Sequence, residues 1–142
     1  MRDRAIESHP TNARLFAARG KLFANRNRAA EAARDVQEFA GLDADSTSES
    51  NECTIAWMDG AAVQLMKGRE QKDHRVYIRQ MLLRFAATKN PVVAERISKA
   101  ALFGAVDPQD LRKVVQLAEL ASSTRKYYEL RDRSIRKLES LL

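Results

Sequence analysis

The residues from Ala13 to Ser46 constrain the fold more than any other part of the chain. They form two apolar-periodic segments joined by the polar turn Asn25-Arg26-Asn27. In each segment, apolar and small residues return every three or four positions, which is the spacing of one face of an α-helix. The pattern predicts a helical hairpin, with helices over about 13–26 and 28–40. Such a hairpin cannot bury its apolar face alone, so we expect neighbouring helices to stack on it.

The rest of the chain has the composition of a helical protein. Of its 142 residues, 44% are hydrophobic and 31% are charged, with only five Gly and three Pro. Ala, Leu, Arg, Lys and Glu dominate, and all of them favour helices. No stretch alternates apolar and polar residues for long enough to form a strand. We therefore predict an all-α fold of about seven helices.

Polar breaks divide the chain. A flexible lead-in over 1–12 precedes one helical-repeat domain over 13–142. We interpret the acidic segment 43–52 as a solvated loop between hairpins, with a mobile linker as the alternative. The domain is predicted to contain three hairpins and a final helix, at about 13–40, 53–86, 91–122 and 124–141.

Six residues of the first hairpin fall on the offsets of a known repeat pattern: Phe16, Gly20, Phe23, Ala32, Val36 and Phe39. The segment resembles a tetratricopeptide repeat, whose unit is about 34 residues. Arg19 stands where the family has Leu, and Ala44 replaces the usual helix-ending Pro. The resemblance implies a right-handed superhelix of antiparallel helix hairpins.

A second resemblance covers about 13–121. The segments that begin at Ala13, Asp73 and Asn90 are similar to helical repeat regions C-terminal to planctomycete serine/threonine kinases and WD40-repeat proteins. In that family these regions are taken as protein-interaction scaffolds without activity of their own. The chain has no Gly-rich loop, His-Arg-Asp or Asp-Phe-Gly motif of a kinase. The resemblance therefore implies a scaffold.

Catalytic and metal-binding residue types are scarce. The two histidines are His9 and His74, and the single thiol is Cys53. No two of these have the spacing of metal ligands. We therefore predict no enzymatic activity, no metal and no cofactor.

Nothing in the chain predicts export or membrane insertion. The first residues lack the apolar core of a signal peptide, and no apolar run approaches the roughly 18 residues of a membrane span. A single cysteine excludes an intrachain disulfide, which fits a reducing compartment. The expected location is the cytoplasm.

The leading functional candidate is a groove lined by the first helix of each hairpin. Such a surface binds an extended peptide or a partner helix, so we predict a protein-interaction adaptor. The C-terminal helix or a second copy of the chain is the alternative occupant. The geometry of the repeat family places six residues in this groove: Arg14, Lys21, Asn25, Ile55, Met58 and Leu65.

The alternative candidate is a nucleic-acid-binding surface in the basic stretch 67–89, which holds seven Lys/Arg and two acidic residues. Lys72, Arg75 and Arg79 follow at i, i+3 and i+7, so they form one stripe on a helix. The whole net charge of +6 lies in residues 51–142. A cationic stripe can bind phosphates, and a solvated outer face is the competing interpretation.

Self-association is a further prediction. Tyr127 and Tyr128 are adjacent, so they cannot both point inward from one helix. We expect one of them on the surface, in the contact of a homo-oligomer.

Overall fold

The structure, a computed structural model, describes residues 4–66, 71–104 and 106–141. In these residues it contains seven α-helices, one 3-10 helix over Pro108–Asp110 and no strand, so the prediction of an all-α fold is confirmed. Within the same residues, no helix is both long enough and apolar enough to cross a membrane. The helices are α1 (Arg4–Ser8), α2 (Ala13–Asn25), α3 (Ala29–Asp43), α4 (Asn51–Met66), α5 (Gln71–Phe85), α6 (Pro91–Leu102) and α7 (Leu111–Ser140).

The first two long helices, α2 and α3, pack on each other. At the start of α2, the Asn12 side chain accepts a hydrogen bond from the Arg14 backbone N–H at 3.1 Å, as a helix N-cap does. Asn27, in the turn after α2, has a φ of 58°, a conformation that Asn tolerates better than most residues. The six residues of the repeat pattern are all buried, as predicted: Phe16, Gly20, Phe23, Ala32, Val36 and Phe39.

Arg19, which departs from the tetratricopeptide pattern, pairs with a buried carboxylate. Arg19 Nε and Nη2 donate to the two oxygens of Asp35 at 2.8 and 2.7 Å. Asp35 is only 4% exposed, so its charge needs this bidentate partner. The guanidinium also lies 5.8 and 5.7 Å from the ring centroids of Phe16 and Phe23. Arg19 therefore covers apolar surface as well as pairing with the acid.

The core is centred on Trp57 of α4, which is fully buried. Its ring centroid lies 5.2 Å from that of Phe39, 5.4 Å from that of Tyr77 and 6.0 Å from that of Phe85. The Tyr77 hydroxyl donates to the Trp57 backbone oxygen at 2.8 Å, and burial raises the pKa of that phenol. The aromatic cluster joins α3, α4 and α5 around the buried Trp57.

The acidic segment between α3 and α4 is tied to α5. Arg84 donates from Nε to the Asp43 backbone oxygen at 3.0 Å and from Nη2 to the Ser48 backbone oxygen. The Thr88 hydroxyl donates to the Glu49 carboxylate. These contacts favour the loop interpretation of the segment over a mobile linker.

The predicted break between the third hairpin, which was to end at about 122, and a final helix from about 124 is wrong. Leu111 to Ser140 is one helix of 30 residues, so the end of the hairpin at about 122 and the final helix at about 124–141 belong to one element. The Ser123 hydroxyl donates to the Leu120 carbonyl at 2.7 Å. The side chain is therefore satisfied within the helix and does not compete with its backbone hydrogen bonds.

The two parts of α7 differ in burial. Val114 and Leu117 belong to the core, whereas the side chains from Asp132 to Ser140 are all exposed. The side chains of Tyr127 and Tyr128, on which the prediction of self-association rests, lie outside the described part of the chain.

Two other boundaries also differ from the prediction. The lead-in contains a helix, α1, whose Ile6 is buried against the core. Helix α3 continues through Gly41 to Asp43, beyond the predicted end at about 40. The last turn of α3 is held by tertiary contacts, because the Asp43 side chain accepts a hydrogen bond from Trp57 Nε1 at 2.7 Å.

Candidate functional site

A cavity of about 420 Å³ lies between α2, α3 and α4. This is the place where the sequence predicts a groove, since α2 and α4 are the first helices of the first two predicted hairpins. Its volume falls within the range of ligand pockets, about 300–1,000 Å³. We call it the α2–α4 groove.

The interior of the α2–α4 groove is apolar. Val36 and Phe39 of α3 and Val63 of α4 contribute large apolar side chains to its lining. Small residues of α2 and α4 also line the groove, and their short side chains leave a space that larger residues would fill. A partner's apolar side chains can enter this space. The small residues come from both facing helices: Ala17, Ala18, Ala24, Ala56, Gly60 and Ala62.

Charged residues of opposite sign stand along the two edges of the groove. The α2 edge carries Arg14 and Lys21, and the α4 edge carries Glu52 and Asp59. Arg14 Nη1 lies 3.1 Å from Glu52 Oε2, and Lys21 Nζ lies 3.6 Å from Asp59 Oδ2. Both pairs are largely exposed, so each contributes about 1 kcal/mol or less. Each of these ion pairs can therefore be replaced by an ion pair with a charged residue of a partner at little cost in free energy.

The six residues predicted for the groove divide into two sets. Lys21, Asn25 and Ile55 line the cavity, and Arg14 borders it through its pair with Glu52. Met58 packs against the core, and Leu65 is half-buried; neither lines the cavity. With 3.6 residues per turn, these two lie on a face of α4 next to the one that carries Ile55.

The α4 edge is the part of the groove that the sequence interpretation missed. Glu52 and Asp59 line the cavity, but they were not among the predicted groove residues. Their sequence signal is the seven-residue spacing that they share with Arg14 and Lys21 of α2. Two helices that carry opposite charges at the same spacing favour a paired rim.

The predicted basic stripe is largely neutralised within the chain. Arg79 donates to Asp107 Oδ2 at 2.9 Å and to Asp110 Oδ2 at 3.1 Å. Arg75 Nη1 lies 3.8 Å from Asp107 Oδ1, and Lys72 is exposed. Two of the three stripe residues therefore tie α5 to the segment that begins α7.

The other cations of the basic stretch 67–89 are Lys67, Arg69, Arg84 and Lys89. Residues 67–70 lie outside the described part of the chain. The Arg84 side chain is 3% exposed and contacts Asp43 Oδ2 at 3.2 Å, and its guanidinium lies 4.6 Å from the Phe85 ring centroid. Lys89 is exposed.

Neither Cys53 nor His74 has the surroundings of a catalytic group. Cys53 Sγ donates to Asp43 Oδ2 at 3.4 Å. Burial, with the Asp43 carboxylate, raises the pKa of the thiol to about 11, so little thiolate exists at neutral pH. His74 is fully buried, burial lowers its pKa, and neither ring nitrogen has a hydrogen-bond partner among the described residues. Both side chains act as packing residues at neutral pH.

Among residues 4–66, 71–104 and 106–141, no group of three or more His, Cys, Asp or Glu side chains could hold a metal ion. In the described part of the chain, the volume and the apolar lining of the α2–α4 groove make it the feature that most resembles a binding site.

Comparisons of the chain with protein-family models, with curated proteins and with solved structures find no match. The resemblances to tetratricopeptide repeats and to planctomycete helical repeat regions stay predictions.

Proposed function

We propose that this chain is a non-enzymatic scaffold that binds an apolar helix or an extended peptide of a protein partner in the α2–α4 groove. The observation that carries the proposal is the groove itself, with its apolar interior and its two edges of opposite charge. Helix-in-groove recognition uses this combination. The apolar interior supplies affinity, and the charged edges set the orientation of the partner.

The proposal includes a tetratricopeptide-like architecture. In this architecture, three antiparallel hairpins form a right-handed superhelix. The hairpins are α2 with α3, α4 with α5, and α6 with the first part of α7. The packing of α3 on α4, α4 on α5 and α6 on α7 supports this arrangement. It makes α2 and α4 the first helices of consecutive hairpins, side by side on the inner surface. With one cysteine in the chain, a cytoplasmic location is part of the proposal.

Nucleic-acid binding through the basic stripe is the weaker candidate, because Asp107 and Asp110 already pair with Arg75 and Arg79. We expect no saturable binding of a fluorescent DNA or RNA duplex at physiological salt. Binding that weakened steeply with salt, and that was lost on substitution of Lys72 by Ala, would instead support the stripe.

The groove proposal is tested by selecting peptides from a random phage-displayed library against the immobilised chain. Ala62→Trp blocks the cavity with a side chain on the exposed part of α4, and Ala118→Trp is the matched control on an exposed part of α7. We expect enriched peptides with apolar residues at i and i+3 or i+4. Their affinity should fall roughly tenfold or more in Ala62→Trp, about 1.4 kcal/mol, and stay unchanged in Ala118→Trp.

If the enriched peptides bind both tryptophan variants equally, their site is elsewhere and the proposal is wrong. It is also wrong if the wild-type chain enriches no peptide.

A further inference from the structure

The last part of α7 is an amphipathic helix whose apolar side chains are exposed. We call residues 132–141 the tail. Ile135 is 43% exposed, Leu138 63% and Leu141 76%. Their spacing of three residues places them on one stripe of the helix. An exposed apolar stripe with polar borders marks a contact surface.

The two borders of this stripe differ in charge. Asp132 lies three residues before Ile135 and Glu139 four residues after it, so both acids lie next to Ile135. Lys137 lies four residues before Leu141, on the other border. Arg136 lies four residues after Asp132 and three before Glu139, on the side of the acids that faces away from the stripe. Directly beside the stripe, the order across the tail is an acidic edge, the apolar residues and a basic edge.

The α2–α4 groove has the complementary order. Its α2 edge is basic, with Arg14 and Lys21; its interior is apolar; and its α4 edge is acidic, with Glu52 and Asp59. Arg14 and Lys21 are seven residues apart, as are Asp132 and Glu139 of the tail. Seven helical residues span about 10.5 Å, so both acids of the tail can meet both bases of α2 at once.

We propose that the tail of one copy of this chain occupies the α2–α4 groove of a second copy. The inference rests on the proposed function and names its partner. Ile135 and Leu138 of the tail enter the cavity. Asp132 and Glu139 pair with the α2 edge, and Lys137 turns toward the α4 edge.

The tail reaches the groove of a second copy and not that of its own chain. Helix α7 packs on α6 and on the 3-10 helix, whereas the groove lies between α2, α3 and α4. The tail side chains are exposed in the single chain. Each copy then offers one groove and one tail, which is a heterologous contact that builds a ring or a filament.

A charge exchange tests the orientation. Lys21→Glu places an acid opposite Glu139, and Glu139→Lys places a base opposite Lys21. Each single change should weaken self-association several-fold, and the chain that carries both should recover it. If the double variant associates no better than the single variants, Lys21 and Glu139 do not meet and the proposed orientation is wrong.

The central test is sedimentation velocity with two complementary variants. Ala62→Trp blocks the groove and keeps the tail, and Ile135→Gln/Leu138→Gln disables the tail and keeps the groove. Circular dichroism checks that both variants are folded, and Ala118→Trp is the control that should associate like the wild type. We expect each of the two variants alone to be monomeric at concentrations where the wild type associates. Their equimolar mixture should form a one-to-one dimer and nothing larger.

Three results would overturn the inference: self-association of Ala62→Trp alone, a mixture that stays monomeric, or a wild-type chain that is monomeric throughout. The peptide selection separates these failures from a failure of the proposed function. If selected peptides bind the wild type and not Ala62→Trp, the groove binds another partner and only self-recognition is wrong.

Discussion

Gly60 lies where α4 comes closest to its neighbours. A Cβ at this position would collide with the Tyr77 hydroxyl and lie 2.9 Å from Val36 Cγ1. The hydroxyl reaches the Trp57 backbone oxygen because no side chain stands in its way. One missing methyl group therefore sets the approach of α5 to α4 beneath the groove.

Gly60→Ala should destabilise the fold by about 1–3 kcal/mol, because the new methyl group overpacks the core. Gly41→Ala is the matched control, since a Cβ at this helical position meets nothing within 4 Å. It should stabilise the fold by up to about 1 kcal/mol. Urea unfolding followed by circular dichroism measures both. Equal stability of Gly60→Ala and the wild type would contradict the packing described for α4.

His74 makes the stability of the fold depend on pH. Burial lowers its pKa from the ordinary value of 6.5, so the unfolded chain binds a proton more readily than the folded chain does. The stability that neutral His74 contributes is complete above pH 6.5 and is lost as the pH falls below that value. The loss is at most about 1.4 kcal/mol for each pH unit.

The comparison of two variants isolates this effect. His74→Leu should flatten the fall in unfolding free energy below the ordinary pKa of His, whereas His9→Leu should keep it, because His9 is exposed. Urea unfolding over a pH series is the measurement. The same pH dependence in the wild type and in His74→Leu would show that His74 does not cause it.

At the scale of elements, Asp43 is the point where α3, α4 and α5 are tied together. Its carboxylate accepts hydrogen bonds from Trp57 Nε1 at 2.7 Å and from Arg84 Nε at 3.2 Å, and from the Cys53 thiol at 3.4 Å. The Arg84 side chain is almost fully buried there. Removing either charge leaves the other buried without its partner.

Asp43→Ala should destabilise the fold by about 3 kcal/mol, because Arg84 stays buried without its acid. The double variant with Arg84→Met should lose about 1–3 kcal/mol less than the sum of the two single changes. Arg75→Met is the control on the same helix; its exposed pair should contribute about 1 kcal/mol or less. Urea unfolding measures the cycle, and strict additivity would contradict the coupling of the two residues.

Helix starts could be predicted from the sequence better than helix ends. Helices α2 and α6 begin at Ala13 and Pro91, close to the predicted starts. Asn12 and Asn90 cap them, and a cap is a contact between residues two or three positions apart. The predicted helix ends at about 40 and about 122 are wrong. The Asp43 contacts come from distant parts of the chain, and whether a serine hydroxyl bonds its own helix is not a local sequence signal.

At the scale of the whole molecule, the described cations of the basic half divide between internal ion pairs and exposed positions such as Lys72 and Lys89. Arg75, Arg79 and Arg84 are taken up by acids that are distant in sequence, which residue spacing alone does not reveal. The position of the groove was easier to predict, because the resemblance to a tetratricopeptide repeat implies that Lys21 and Ile55 lie on the facing surfaces of two helices. The helix that carries the stripe of the tail could be predicted from the sequence, whereas the exposure of Ile135, Leu138 and Leu141 could not.

The most direct test of binding in the α2–α4 groove is to locate the residues that a bound peptide contacts. In an NMR titration of the ¹⁵N-labelled chain with an unlabelled peptide from the library selection, we expect the largest amide shift changes at the groove, around Lys21, Asn25 and Ile55. Shift changes centred instead on the stripe formed by Lys72, Arg75 and Arg79 would contradict binding in the groove.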